Sequence, residues 1–135
     1  MNLELFKTKN ILYVEDDKLV IKSFLPILNK IFNSVLVSYN GLEGLKLFKE
    51  NDNIDFVISD IKMPQMDGLE MCKHIKDINP DMPCIITTAH GELDYFMEAD
   101  RIGIYRYIQK PLNINELFEA INDFESGREV KKTDL

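Results

Sequence analysis

Four stretches, far apart along the chain, carry side chains able to do chemistry together. Glu15-Asp16-Asp17 follows Ile11-Leu-Tyr-Val14, Asp60 follows Phe56-Val-Ile-Ser59, Thr87-Thr88-Ala89 follows Cys84-Ile-Ile86, and Lys110-Pro111 follows Tyr107-Ile-Gln109. Carboxylates gathered at one place repel and raise one another's pKa unless a cation joins them. Oxygen ligands in this number, without His or Cys among them, suit Mg²⁺ (or Mn²⁺) rather than zinc. A hard cation, a carboxylate with free lone pairs, a lysine and a hydroxyl make a phosphoryl-handling site. The cation and the lysine neutralise phosphoryl oxygens, and the carboxylate can attack phosphorus to form an acyl phosphate.

The elements that must position these groups can be read from the apolar pattern. Asn10–Glu15, Val35–Val37, Ile54–Ser59, Cys84–Thr87 and Tyr107–Gln109 read as short buried strands. Between them, apolar residues recur at helical spacing over Lys18–Phe32 (Leu19, Val20, Phe24, Ile27, Leu28, Ile31), around Leu42–Phe48, over Leu69–Ile78 and over Leu93–Ile102. A last helix carries Leu117, Phe118, Ile121 and Phe124. Pro26 should kink the first helix, Gly41 and Gly44 should weaken the second, and Asn79-Pro80 should end the third. Gly103 is expected to cap the fourth, and Asn113 to open the fifth. Strict alternation of strand and helix requires crossover connections, hence a parallel sheet covered on both faces: a doubly wound α/β sandwich. Ligand sites in such sheets lie outside the carboxyl ends of the strands, where all four stretches fall.

Composition agrees with one domain. The chain has 135 residues, 45% hydrophobic and 29% charged, and its formal charge of -7 argues against gripping nucleic acid or an anionic membrane by bulk electrostatics. No apolar run approaches the roughly 18 residues of a membrane helix, and the first ten residues lack the pattern of a secretory signal. Cys72 and Cys84, without zinc spacing, read as buried reduced thiols. The expectation is a cytoplasmic protein with a domain over residues 1–124. The charged tail 125–135 reads as a frayed helix end or the start of a linker.

Over about residues 9–124 the chain resembles the receiver domain of two-component response regulators. The motifs are Ile11-Leu-Tyr-Val-Glu-Asp-Asp17, Asp60-Ile-Lys-Met-Pro-Gln-Met-Asp-Gly68, Thr87-Thr-Ala89 and Tyr107-Ile-Gln-Lys-Pro111, in order. The resemblance implies a flavodoxin-like (βα)5 sandwich with strand order 2-1-3-4-5. It implies that Asp60 accepts a phosphoryl group from a phosphohistidine on a histidine kinase or histidine phosphotransfer protein. Glu15 and Asp16 would hold Mg²⁺, joined by Asp60 and the Lys62 backbone carbonyl. Lys110 would pair with the carboxylate and then with the phosphoryl group, on a cis peptide to Pro111. Thr88 would swing its hydroxyl onto a phosphoryl oxygen, Ala89 would leave the approach open, and Tyr107 would turn inward in response. Lys62 and His90, two residues past Asp60 and Thr88, would order or impede the attacking water and so set the lifetime of the acyl phosphate.

Structural readings stand beside these. Asp17 reads as a helix cap, Thr87 as packing on the opposite side of its strand from Thr88, and Met63 and Met66 as loop packing. Gly68 reads as the residue supplying a positive φ in the loop that Pro64 shapes. Tyr105 competes with Tyr107 for the switch. Glu98, Asp100, Arg101 and Arg106 make the surface near the fourth helix and last strand more charged than is usual for receivers. Two other functions compete with a switched receiver. A degenerate receiver would act as a binding module without phosphorylation. A haloacid-dehalogenase-like phosphatase would need a second Asp two residues after the nucleophile, where Lys62 stands. No DNA-binding motif follows Phe124, so the chain reads either as a stand-alone receiver of the chemotaxis type or as part of a regulator with an output domain or target protein.

Overall fold

The computed structural model describes residues 3–89 and 101–127. Five strands, β1 (Asn10–Val14), β2 (Ser34–Ser38), β3 (Phe56–Asp60), β4 (Cys84–Thr88) and β5 (Arg106–Gln109), form one sheet in the order β2-β1-β3-β4-β5. Every adjacent pair is parallel. The described helices are α1 (Leu3–Phe6), α2 (Lys18–Ile31), α3 (Gly41–Glu50), α4 (Gly68–Ile78) and α5 (Ile114–Ser126). Both the doubly wound architecture and the strand order agree with the sequence reading. Of the expected helix over Leu93–Ile102, only Arg101 and Ile102 are among the described residues; both are helical, and Gly103 follows at φ 89°.

Alternation along each strand divides the core into two layers. Leu12, Val14, Val57, Ile86 and Tyr107 point to the α3–α4 side, where they meet Leu45, Phe48, Leu69, Met71 and Ile75. Ile11, Tyr13, Phe56, Ile58, Ile85 and Ile108 point the other way, onto Phe6, Ile21, Leu28, Leu117 and Ile121. β3 and β4 are buried along their whole length, as central strands covered on both faces must be. Cys72 and Cys84 are free and wholly buried in the first layer, as expected. Their mutual contact, and then burial, push the Cys72 thiol well above its ordinary pKa. Among the described residues no helix is long and apolar enough to cross a membrane.

Helix boundaries follow local chemistry. The Asp17 carboxylate accepts from the Leu19 and Val20 amides, and Asn40, Asp67 and Asn113 cap α3, α4 and α5 in the same way. α2 runs on through Pro26, whose ring faces solvent. Its buried positions are Ile21 and Leu28, whereas Leu19 and Ile27, counted in the apolar spacing that marked the helix, are 76% and 42% exposed. The stripe is centred on the 21–24–28 line, so Leu19 lies on the outer face. α5 continues to Ser126, where Gly127 caps it in the left-handed region, and Lys9 pairs with Glu125 at 2.6 Å.

Two features differ from the sequence reading. Gly68 does not supply a positive φ; that conformation falls on Gln65, at φ 70°. Gly68 is needed for space, because a Cβ there would overlap the Asp60 carbonyl oxygen and approach the Ser59 hydroxyl within 2.8 Å. The second is α1, one turn that brings Phe6 to full burial, stacked on Phe118 at 4.9 Å and edge-on to Phe32 at 6.0 Å. Phe6→Ala is therefore expected to lower the unfolding free energy by about 3–5 kcal/mol, measured by urea titration. A change within the error of the titration would show that α1 is not part of the core.

Candidate functional site

β1 and β3 lie side by side in the middle of the sheet, and their carboxyl ends deliver acidic side chains to the same rim. Glu15 follows the last residue of β1, its amide donating to the Ser38 carbonyl of β2 at 3.0 Å. Asp60 is the last residue of β3. Carboxylate oxygens of Glu15, Asp16 and Asp60 come within 4.8 Å of one another. Glu15 and Asp60 are buried, at 2% and 7% exposure, whereas Asp16 faces solvent. All three donors are hard oxygens and two have lost most of their water, so the cluster fits a small divalent cation such as Mg²⁺.

Lys110 enters from the end of β5. Its amide donates to the Thr88 carbonyl at 2.7 Å, and its peptide bond to Pro111 is cis. The Nζ atom donates to Asp60 Oδ2 at 2.7 Å and lies 3.3 Å from Glu15 Oε1. The second oxygen of each acid is also held, Asp60 Oδ1 by the Ile61 amide at 2.8 Å and Glu15 Oε2 by the Asp17 amide at 3.1 Å. Burial by itself would lower the pKa of the Lys110 ammonium. The hydrogen bond and charge of Asp60, with Glu15 behind them, outweigh it and raise the value. Glu15 is pushed above the usual carboxylate range, first by burial and also by the nearby Asp60 charge, against the lowering effects of the Asp17 amide and Lys110.

Strand parity places the remaining residues. Thr88 follows Ile86 on the α3–α4 face, buried at 2% exposure, and the residue paired with Ile86 on β5 is Tyr107, itself 4% exposed. Thr88 and Tyr107 thus share one side of neighbouring strands. Tyr105 faces the other layer, where its hydroxyl donates to the Ala120 carbonyl at 2.9 Å and its ring meets Phe124 edge-on. Thr87, read as packing, lies on the Asp60 side and donates to the Ser59 carbonyl at 3.4 Å. It also lines a cavity of about 370 Å³ beside the acids, with Tyr13, Val20, Phe24, Lys110 and Leu112. Sequence reading missed this cavity, and the cue available was a tyrosine inside an otherwise aliphatic first strand. Burial, and then the neighbouring acids, push the Tyr13 phenol far above its ordinary pKa. Lys62 is exposed in the loop after Asp60; His90 lies outside the described residues.

Residues 11–122 match the model of the response regulator receiver domain. The chain belongs to that family. This receiver domain is 34% identical over 117 residues to the transcriptional regulatory protein GlrR of Escherichia coli, a stretch covering 87% of the chain and 26% of that protein. The chain thus spans about a quarter of the length of that relative. It is 34% identical over 102 residues to sporulation initiation phosphotransferase F of Bacillus subtilis, covering 73% of the chain and 82% of that protein. Among solved structures, the receiver domain superposes on the CheX–CheY–BeF₃–Mg²⁺ complex of Borrelia burgdorferi with a TM-score of 0.80. That match has 26% identity and covers 97% of this chain and 96% of that one.

The shift of Glu15 has a testable origin. Asp60 is negative, and a negative neighbour makes loss of the Glu15 proton harder, so removing that charge moves the Glu15 pKa down. Carboxyl ¹³C NMR of the cation-free protein should show Glu15 titrating above an ordinary glutamate, and below its wild-type midpoint in Asp60→Asn. An upward or absent movement would mean that Asp60 does not face Glu15 as described.

Proposed function

We propose that this receiver domain accepts a phosphoryl group on Asp60 from a phosphohistidine of a histidine kinase or histidine phosphotransfer protein, and that the modification switches a protein-binding surface. The observation that carries the reading is the sharing of one ammonium, Lys110, between the buried carboxylates Asp60 and Glu15, with Asp16 closing the acidic cluster at the rim. A nucleophilic carboxylate must be ionised, desolvated and aimed, and Asp60 is buried between the Ile61 amide and Lys110. In the transfer, a P–O bond forms to an Asp60 oxygen as the P–N bond to the donor breaks, and the imidazole leaves with the electron pair. Glu15, Asp16, Asp60 and the Lys62 carbonyl would hold Mg²⁺, which when bound supplies positive charge to the phosphoryl oxygens. Lys110 supplies the second cation, moving from the carboxylate to the phosphoryl group.

The negative charge added to Asp60 biases the switch. Thr88 can answer it with a hydroxyl donor, and Tyr107, on the same side of β5, repacks as Thr88 moves. Lys62 and His90 border the path of attacking water and tune the lifetime of the acyl phosphate. The domain acts in the cytoplasm, beside an output domain in the same polypeptide or on a separate target protein. It catalyses its own phosphotransfer and slow dephosphorylation rather than turning over a metabolite; Lys62 stands where a phosphatase of the haloacid-dehalogenase type needs its acid.

Incubation with acetyl phosphate and Mg²⁺, followed by intact mass, should show one added phosphate, lost with EDTA and in Asp60→Asn. Lys110→Met should slow the phosphorylation about 100-fold, as expected for removing one preorganised charge donor. Substituting Lys62 and His90 together should change the autodephosphorylation rate measured after removing the phosphodonor. Phosphate on a residue other than Asp60 would overturn the assignment, and no incorporation at all would favour a binding module that works without phosphorylation.

A further inference from the structure

We propose that the β2–α3 corner, Ser38 to Gly41, is a positioning bracket for the cation side of the site, with Gly41 as its tightest point; the inference rests on the phosphoacceptor reading above. No residue of the corner is in the acidic cluster, yet backbone bonds tie it to the end of β1 and to the loop that follows β3. On one side, the Glu15 amide donates to the Ser38 carbonyl at 3.0 Å. On the other, the Gly41 amide donates to the Met66 carbonyl at 3.0 Å, in the loop that follows Asp60 and carries Lys62. The corner itself is stiff. The wholly buried Ser38 hydroxyl donates to the Asn40 carbonyl at 2.7 Å, and the Asn40 side chain accepts from the Glu43 amide at 2.8 Å.

The loop is anchored where it meets the corner and where it meets α4. The Gly68 amide donates to the Ile61 carbonyl at 2.7 Å, and the Met66 amide to the Pro64 carbonyl at 2.8 Å, across Gln65 in its left-handed conformation. A Cβ on Gly41 would overlap the Met66 carbonyl oxygen and fall 3.0 Å from the Asp67 carbonyl oxygen. Those obstacles are backbone atoms, so the loop must move rather than a side chain turn. In a helix free of such contacts, alanine would be the better residue; glycine here serves the loop, not the helix. Displacing Met66 and Asp67 would shift the loop that carries Lys62, whose carbonyl is assigned above to the cation, whereas the Lys110 contacts with Asp60 and Glu15 come from β5 on the other side of the site.

Gly44, one turn along the same helix, provides the contrast. A Cβ there would meet the Met71 sulfur at 2.7 Å and Val14 Cγ2 at 3.0 Å, both side-chain atoms in the core, and would reach the Ser38 hydroxyl only at an ordinary contact distance of 3.5 Å, with no loop atom among these neighbours. Mg²⁺ binding by isothermal titration calorimetry, with thermal melts of the same samples, separates positioning from packing. Gly41→Ala should weaken Mg²⁺ binding about 10-fold or more, the usual loss when the support of a metal ligand is removed. Acetyl phosphate labelling of Gly41→Ala should recover at saturating Mg²⁺. Gly44→Ala should lower the melting temperature and leave the Mg²⁺ affinity at the wild-type value. Ser38→Ala, which removes the two hydrogen bonds between the Ser38 hydroxyl and the Asn40 backbone without crowding the corner, should weaken Mg²⁺ binding in the same direction by less, and it decides the matter if Gly41→Ala does not fold. In the cation-free wild type, the Gly41 amide should exchange slowly with deuterium. Unchanged Mg²⁺ affinity in folded Gly41→Ala, or an equal loss in Gly44→Ala, overturns the bracket. A wild type that binds no Mg²⁺ overturns the phosphoacceptor reading itself, and the bracket with it.

Discussion

Two buried carboxylates at the ends of adjacent central strands share a single lysine ammonium, and the functional end of this molecule is built around that arrangement. Asp60 and Glu15 have lost most of their hydration, and their charges oppose one another. Removing water from like charges is costly, and the cost is met here by Lys110 and by one backbone amide on each acid. The balance is incomplete, since Glu15 remains harder to ionise than a free glutamate. A site left short of positive charge in this way is suited to a divalent cation, and then to a phosphoryl group that brings more negative charge to the same place.

The sheet makes that arrangement possible because it is parallel. All strand carboxyl ends lie on one edge, so residues 15, 60, 88 and 110 come to the same rim although long stretches of chain separate them. Parity then divides the work between the two faces. Asp60 and Thr87 lie toward α2 and α5, while Thr88 and Tyr107 lie on the α3–α4 side. Asp60 and Thr88 therefore face opposite layers at the same strand ends, and Tyr107 packs in the layer that Thr88 faces.

Beneath the site, tight packing restricts which residues can hold the loop after Asp60. Gly68 and Gly41 are both buried, and at each a single methyl group would collide with backbone of that loop or of Asp60 itself. Neither glycine has φ in the left-handed region; the residue that does is Gln65, between them. Close approach of backbone to backbone, rather than turn geometry, is what these glycines provide.

Much of this was legible in the residues alone. Short apolar runs ending in acid, hydroxyl or lysine marked the strands and their carboxyl edge, because burial on both faces keeps charged side chains out of the body of a central strand and leaves them to its end. Caps such as Asp17 and Asn113 were readable because their chemistry is local. α1 was not, since one helical turn with a single buried ring has no periodicity. Nor was the outward orientation of Leu19 and Ile27, because a helix richer in apolar residues than its contact face requires does not reveal which of them face inward. What the chain by itself determined was the set of strands, the longer helices between them and the kinds of side chain at the strand ends. Only the tertiary structure decided that Lys110 divides itself between Asp60 and Glu15, that Thr87 joins the Asp60 face, and that Gly41 meets the loop of Met66. Those are contacts between distant segments, set by strand register and by how closely the layers pack, and no local spacing encodes them.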